Sequence, residues 1–173
     1  MIAEARLKDG TLALVWPLHP EDREALRTGY EKLSEDARYH RFLTTVPRLN
    51  DTLLRHLVDD VDGVDHIALA LVVIGEDHVG EPVGVARVIR YPEDPTAADV
   101  AVTVLDEWQG RGAASALLAE LMRQRPAGVT RLLTTVTSDN TASLAMLRRL
   151  GPTTTSAAGA NRVDVVVELE PAG

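Results

Sequence analysis

Cysteine is absent from the 173 residues, which removes disulfides, thiol nucleophiles and cysteine metal sites from consideration. Aromatic residues make up only 3%, so aliphatic side chains must fill the core. Basic residues are outnumbered, 18 Lys and Arg against 26 Asp and Glu, for a net charge of −8. That balance disfavours nonspecific binding to nucleic acid or to an anionic membrane and is compatible with a cationic or amine-bearing partner. No apolar run approaches a membrane span. The opening Met1-Ile2-Ala3-Glu4-Ala5-Arg6 lacks the layout of a signal peptide, so a cytoplasmic location is expected. No two histidines share a ligand spacing, and no metal site is expected.

What is present is ordinary for a globular chain: 45% apolar and 25% charged residues. The length fits one domain over residues 1–173. Leu12–Trp16 reads as an apolar strand after the turn Leu7–Thr11. Pro17–Asp22 reads as a helix start, with Leu26, Tyr30 and Leu33 as its inner stripe. Ser34 is a candidate cap for a second helix carrying Tyr39 and Phe42, and Asn50 or Asp51 for a third with Leu53, Leu54, Leu57 and Val58 inward. His66–Ile74 is a continuous apolar run, expected to be a central strand covered on both faces. Pro82–Arg90 is expected to pair with it as a hairpin, and Tyr91–Ala98 to be a connection. Further strands are expected at Val100–Leu105, Arg131–Thr137 and Arg162–Leu169. The region between Gly151 and Arg162 reads as a turn.

The informative stretch is Asp99–Arg125. A strand passes through the polar turn Asp106–Gln109 and then Gly110-Arg111-Gly112-Ala113-Ala114. Beyond it Ala114, Leu117, Leu118, Leu121 and Met122 recur at helical spacing until Pro126. A strand entering a helix through glycines is an anion-binding construction, because the first helical N–H groups lack intrahelical partners. Arg111 adds a positive charge. A phosphate-binding loop of nucleotide hydrolases would need Gly-Lys-Ser/Thr, which is missing here. The dinucleotide fingerprint is poorly matched, since Asp106–Gln109 separate the glycines from the strand.

What remains, Gln109-x-x-Gly112-x-Ala114 after a hydrophobic strand, resembles the acyl-CoA signature of the GNAT acyltransferase superfamily. The order of elements is similar too. Asp9-Gly10-Thr11, Pro17–Asp22, Leu33-Ser34-Glu35-Asp36 and Arg41-Phe42 resemble the opening of the GNAT domains of bacterial protein-lysine acetyltransferases. The resemblance implies an α/β fold with a central mixed, mostly antiparallel sheet flanked by helices. It implies acetyl-CoA as acyl donor, and a primary amine as acceptor, either an amine-bearing small molecule or a protein lysine. It places main-chain groups of Val102 and Val104 along the pantetheine arm and Gln109, Gly110, Arg111, Gly112, Ala113 and Ala114 at the diphosphate. Asn140 and Ser143 match the family's turn beside the pantetheine, although Asn140 is equally well placed as a plain helix cap.

The catalytic base implied is Asp99, in Ala98-Asp99-Val100-Ala101-Val102, where related enzymes carry a glutamate. Glu81, Glu107, His66 and His78 are weaker candidates. One departure is plain: Leu147 stands where many members carry a tyrosine as general acid. It motivates a rival reading, a non-catalytic acyl-CoA-binding or sensing module on the same fold. A homodimer is compatible with the sequence, which leaves the oligomeric state open.

Overall fold

The computed structural model describes residues 2–75 and 79–170. Eight strands form one sheet in the order β1-β2-β3-β4-β5-β6-β8-β7. They are β1 (Ala3–Arg6), β2 (Leu12–Pro17), β3 (His66–Ile74), β4 (Gly80–Tyr91), β5 (Asp94–Val104), β6 (Arg131–Thr137), β7 (Thr153–Ala157) and β8 (Arg162–Glu168). Every neighbouring pair is antiparallel except β5 with β6. The helices are α1 (Arg23–Lys32), α2 (Glu35–Phe42), α3 (Asp51–Leu54), which runs on as a π-helical turn over Arg55–Asp59, α4 (Ala113–Gln124) and α5 (Thr141–Arg148). Among the described residues no helix is long and apolar enough to cross a membrane.

The caps follow the expected chemistry. Ser34 Oγ accepts from the Ala37 N–H at 3.2 Å, and Asn50 Oδ1 accepts from the Leu53 N–H at 2.8 Å, each satisfying a donor that the first turn leaves free. β3 is buried from His66 to Val73 and lies between β2 and β4, as its unbroken apolar run requires. The helix expected from Pro17 begins later. Pro17 closes β2 opposite Leu69, and only a 3-10 turn at Pro20–Asp22 leads into α1.

Two segments read as irregular are strands. β5 starts at Asp94, not after Ala98, because Tyr91 and Asp94 close a hairpin. The register then jumps to Arg90 opposite Ala98, so Pro95 lies in a bulge where no ladder donor is needed. β7 is an edge strand of Thr153, Thr154, Thr155 and Ser156 on β8; the β-branched threonines favour the extended form despite the small residues around them.

The two faces of the sheet are used differently. A Cβ on Gly84 would meet Leu117 Cδ1 at 3.0 Å, so Gly84 and its partner Val104 face α4, and by alternation Val102 and Val100 do too. Asp99, Ala101 and Thr103, opposite Ile89, Arg87 and Val85, face the other side, where α1 and α2 lie. Asp106 joins these helices to the end of β5, accepting from the Ser34 N–H at 3.0 Å and from Ser34 Oγ at 2.7 Å.

On that second face Arg87 is 4% exposed. Its Nη1 donates to the Leu57 carbonyl at 2.9 Å and to His66 Nε2 at 3.1 Å. Burial, and then the charge on Arg87, push the His66 pKa down to about 4, so the ring is neutral and Nε2 accepts. The folded chain therefore refuses a proton that the unfolded chain takes up at about pH 6.5. Stability is expected to be full above that pH and to fall between about pH 6.5 and about pH 4, by at most roughly 3 kcal/mol from this ring. Denaturant melts across the window, compared with His66→Gln, test this: the variant keeps an acceptor for Arg87 and should show a shallower loss. Equal slopes would discard the assignment.

Candidate active site

β5 and β6 are in register only at Ala97 with Arg131 and Ala98 with Leu132. Beyond that point they separate. The Thr134 hydroxyl donates to the Val100 carbonyl at 3.2 Å across the start of the gap. At its far end the Gln109 side-chain amide donates to the Val104 carbonyl at 3.2 Å. The Leu105 N–H, by contrast, turns the other way to Val83 at 2.9 Å. Alternation therefore points the main-chain groups of Val102, like those of Val100 and Val104, into the gap. A half-sheet lacking its partner is an open row of donors and acceptors for an extended, amide-bearing ligand.

The gap is the inner wall of a groove of about 690 Å³, which runs from Asp99 past Val102 and Val104 to the start of α4. Gln109, Gly110, Gly112, Ala113, Ala114, Asn140 and Ser143 also border it. Gly110 and Gly112 have φ of +73° and +94°, the left-handed region that side-chain-bearing residues avoid. Gly112 is the N-cap of α4 and offers no side chain to the helix. The N–H groups of Ala113, Ala114 and Ser115 consequently have no hydrogen-bond partner among the described residues. They carry the positive end of the helix dipole and suit an anion.

Lys8 packs beside the glycine turn. Its Cγ would lie 3.2 Å from a Cβ on Gly112, and its side chain borders the groove. Arg111 turns away from the groove. Its Nε donates to Asp9 Oδ2 at 2.7 Å, and its guanidinium stacks 3.9 Å from the centre of the Trp108 ring. Thr11 first, through side-chain and backbone hydrogen bonds, and then Arg111 hold the Asp9 carboxyl at about 2. Arg111 thus clamps the β1–β2 turn to the glycine turn, helped by the Lys8 N–H on its carbonyl at 2.9 Å.

Asp99 lies at the inner end, half-buried, with Oδ1 accepting from the Val100 N–H at 2.9 Å. Burial raises its pKa above the usual carboxylate value; the Thr134 hydroxyl, the Val100 N–H and the Arg41 charge act against that rise. A carboxylate with a raised pKa inside a cleft is suited to proton transfer. Asn140 Oδ1 caps α5 by accepting from the Ser143 N–H at 3.1 Å. Leu147 is 3% exposed and borders the groove, so it offers no proton donor there.

The other acids and histidines stand elsewhere. Glu81 pairs with Lys32 at 3.1 Å on the surface, Glu107 is exposed, and His66 is committed to Arg87. His78 lies outside the described residues. Among the described residues no group of three or more His, Cys, Asp or Glu could hold a metal. Lys8, Arg41 and Thr134 border the groove; Lys8 and Thr134 belong to no local pattern, and the sequence marked Arg41 only as part of the segment Arg41-Phe42. Only the strand assignment of Arg131–Thr137 could have pointed to Thr134.

Comparison with known proteins agrees with this geometry. Residues 36–151 match the acetyltransferase (GNAT) family. The chain is 33% identical over 147 residues to acetyltransferase Pat of Mycolicibacterium smegmatis, covering 84% of this chain and 43% of that protein. It is 33% identical over 116 residues to acetyltransferase PA5475 of Pseudomonas aeruginosa, covering 67% of this chain and 61% of that one. The chain therefore spans less than two thirds of either relative. The crystal structure of the GNAT domain of S. lividans PAT superposes with a TM-score of 0.82 at 31% identity, covering 97% of both chains. With the split strands, the bare helix terminus and the matched sequence in agreement, the chain belongs to the acetyltransferase (GNAT) family.

Proposed function

We propose that this protein transfers the acetyl group of acetyl-CoA to a primary amine, with Asp99 as the base. The observation that carries the reading is the single groove in which an unpaired strand edge, an uncapped helix terminus and a half-buried carboxylate follow one another. Acetyl-CoA has three parts that suit those features in turn. Its diphosphate suits the amides of Gly110 to Ala114 and the Lys8 ammonium, while Gln109 and Arg111 hold the turn in shape. Its pantetheine amides suit the open main chain of Val102 and Val104, with Asn140 and Ser143 on the opposite wall. Its thioester supplies an activated acyl group.

The chain's own residues have little further to do. An alkyl ammonium with a pKa of about 10.4 must lose a proton before it can attack, and Asp99 is placed to take it, directly or through a water. A thiol has a pKa of about 8.5 and leaves readily as thiolate, so the leucine at 147 is tolerable where an acid would be expected. The acceptor is the side chain of a protein lysine or an amine-bearing small molecule, and the acidic balance of the chain favours either. Leu147 also supports the rival reading, a protein that binds acyl-CoA without turning it over.

The two readings separate in a direct assay. Saturable acetyl-CoA binding with CoA release on an amine panel is the expected result; binding without transfer to any amine or peptide would favour the rival. Asp99→Asn is expected to lower kcat by about 100-fold or more, with acetyl-CoA affinity in isothermal titration nearly unchanged. Undiminished turnover would move the base elsewhere. Because Arg41 holds the Asp99 pKa down, Arg41→Gln should shift the acid limb of kcat/KM to higher pH. Gly112→Ala forces a left-handed backbone on a residue with a Cβ, costing about 1–2 kcal/mol. Roughly tenfold weaker acetyl-CoA binding is expected by titration, and unaltered binding would remove the glycine turn from the site.

A further inference from the structure

A second cavity of about 250 Å³ lies between α1, α2 and the sheet. It shares Arg41, Phe42 and Thr103 with the groove, so the two meet along those residues. Pockets for drug-sized ligands run from about 300 Å³ upward; this one suits a small metabolite. Exposed Ala25 and Pro82 stand at its rim, and Leu26, Leu57 and Val85 are among its apolar walls.

Three charged residues interrupt that apolar lining: Asp22, whose Oδ2 accepts from the His19 N–H at 2.8 Å, and two arginines. Arg87 is buried, and its Nη1 alone is engaged, by a carbonyl and a neutral imidazole. Arg41 lies in the wall between the cavities with its guanidinium 4.7 Å from the centre of the Phe42 ring. Among the described residues neither arginine has a carboxylate within ion-pair distance. Burying a cation without a counter-charge is costly. Burial first, and then the neighbouring Arg41, lower the Arg87 pKa to about 9. A guanidinium whose remaining donors have no partner in the chain is matched by a carboxylate.

The opposite charge lies one step along the same face. Asp99 and Ala101 are two residues apart on β5, and Ala101 is paired with Arg87, so Asp99 stands about 7 Å along the strand from that pair. Arg41 stands between them: it lowers the Arg87 pKa, and its own is lowered by burial and raised by Asp99. Asp99 borders the groove, Arg87 the adjoining cavity and Arg41 both, and this arrangement is complementary to a molecule with an ammonium, a carboxylate and an apolar body on one carbon.

We propose that this cavity takes the acceptor, and that the acceptor is an apolar α-amino acid with its carboxylate on Arg87 and Arg41 and its amine toward Asp99. The assignment names the small-molecule acceptor of the acetyltransferase reading and rests on it. In the transfer the ammonium gives one proton to Asp99, and its nitrogen forms the C–N bond as the C–S bond breaks. The second nitrogen proton ends on the CoA thiolate and Asp99 returns its proton to water. The products are the N-acetyl amino acid, CoA thiol and one proton.

The test uses the full chain with L-leucine, L-methionine and L-phenylalanine, and two truncated probes: L-leucinamide, which lacks the carboxylate, and 4-methylpentanoate, which lacks the amine. Titration without acetyl-CoA should show at least one of the amino acids binding, and mass spectrometry after adding acetyl-CoA should show its N-acetyl product. Leucinamide should have a kcat/KM about ten- to hundredfold below that of leucine. 4-Methylpentanoate should compete with leucine. Arg41→Gln, and Arg87→Gln where it folds, should collapse the preference for leucine over leucinamide. Absence of binding by all three amino acids, or leucinamide performing as well as leucine, overturns the proposal. If acetyl-CoA binds and only lysine peptides are acetylated, this inference fails while the acetyltransferase reading stands; amino-acid binding without acetyl-CoA binding gives the reverse.

Discussion

The structure turns on a ladder that stops. After Ala98 and Leu132 the parallel strands β5 and β6 no longer pair, and the outer edge of β5 is left without a strand partner in the middle of a sheet. Such an edge is a liability on most proteins, because unpaired donors and acceptors invite another chain. Here it is enclosed between α4 and α5, so that access is limited to a ligand able to thread the groove. Every other element serves this opening. α4 brings its bare amides to one end, the α2 helix brings Arg41 to the other, and Asp106 holds the α1–α2 junction against the end of β5.

The division of faces explains how one strand serves two kinds of partner. Val100, Val102 and Val104 turn their side chains to α4, while Asp99, Ala101 and Thr103 turn theirs to α1 and α2. The strand therefore offers main-chain groups at its edge and the side chain of Asp99 on one face. Period-two alternation keeps the carboxylate on the face of α1 and α2; a slip of one residue would move it into the aliphatic packing beneath α4.

Much of this was legible from local pattern. The glycine turn, the helix after it, the central strand and the caps at Ser34 and Asn50 are all written within a few residues of where they act. Asp99 was singled out because the resemblance puts an acid at the head of this strand, and it lies in the groove. The rest depends on contacts between distant segments. Arg111 sits inside the motif, yet Asp9, 102 residues away, holds its side chain; Lys8 takes the place at the groove that proximity in sequence would give to the arginine. Arg87 and Thr134 belong to no motif, Arg41 was marked only as part of Arg41-Phe42, and only folding brings them together. The start of β5 was obscured by Pro95, which a bulge accommodates, and β7 by small residues around its threonines.

The clamp of Arg111 on Asp9 and Trp108 bears on how the molecule assembles. The N-terminal hairpin is made early in the chain, yet the glycine turn that it holds lies 102 residues further on. The shape of that turn is therefore a property of the finished sheet. A fragment containing the strand, glycine turn and helix alone would lose the contacts that fix the turn, and a nascent chain would acquire the complete clamp only after the two distant segments had docked.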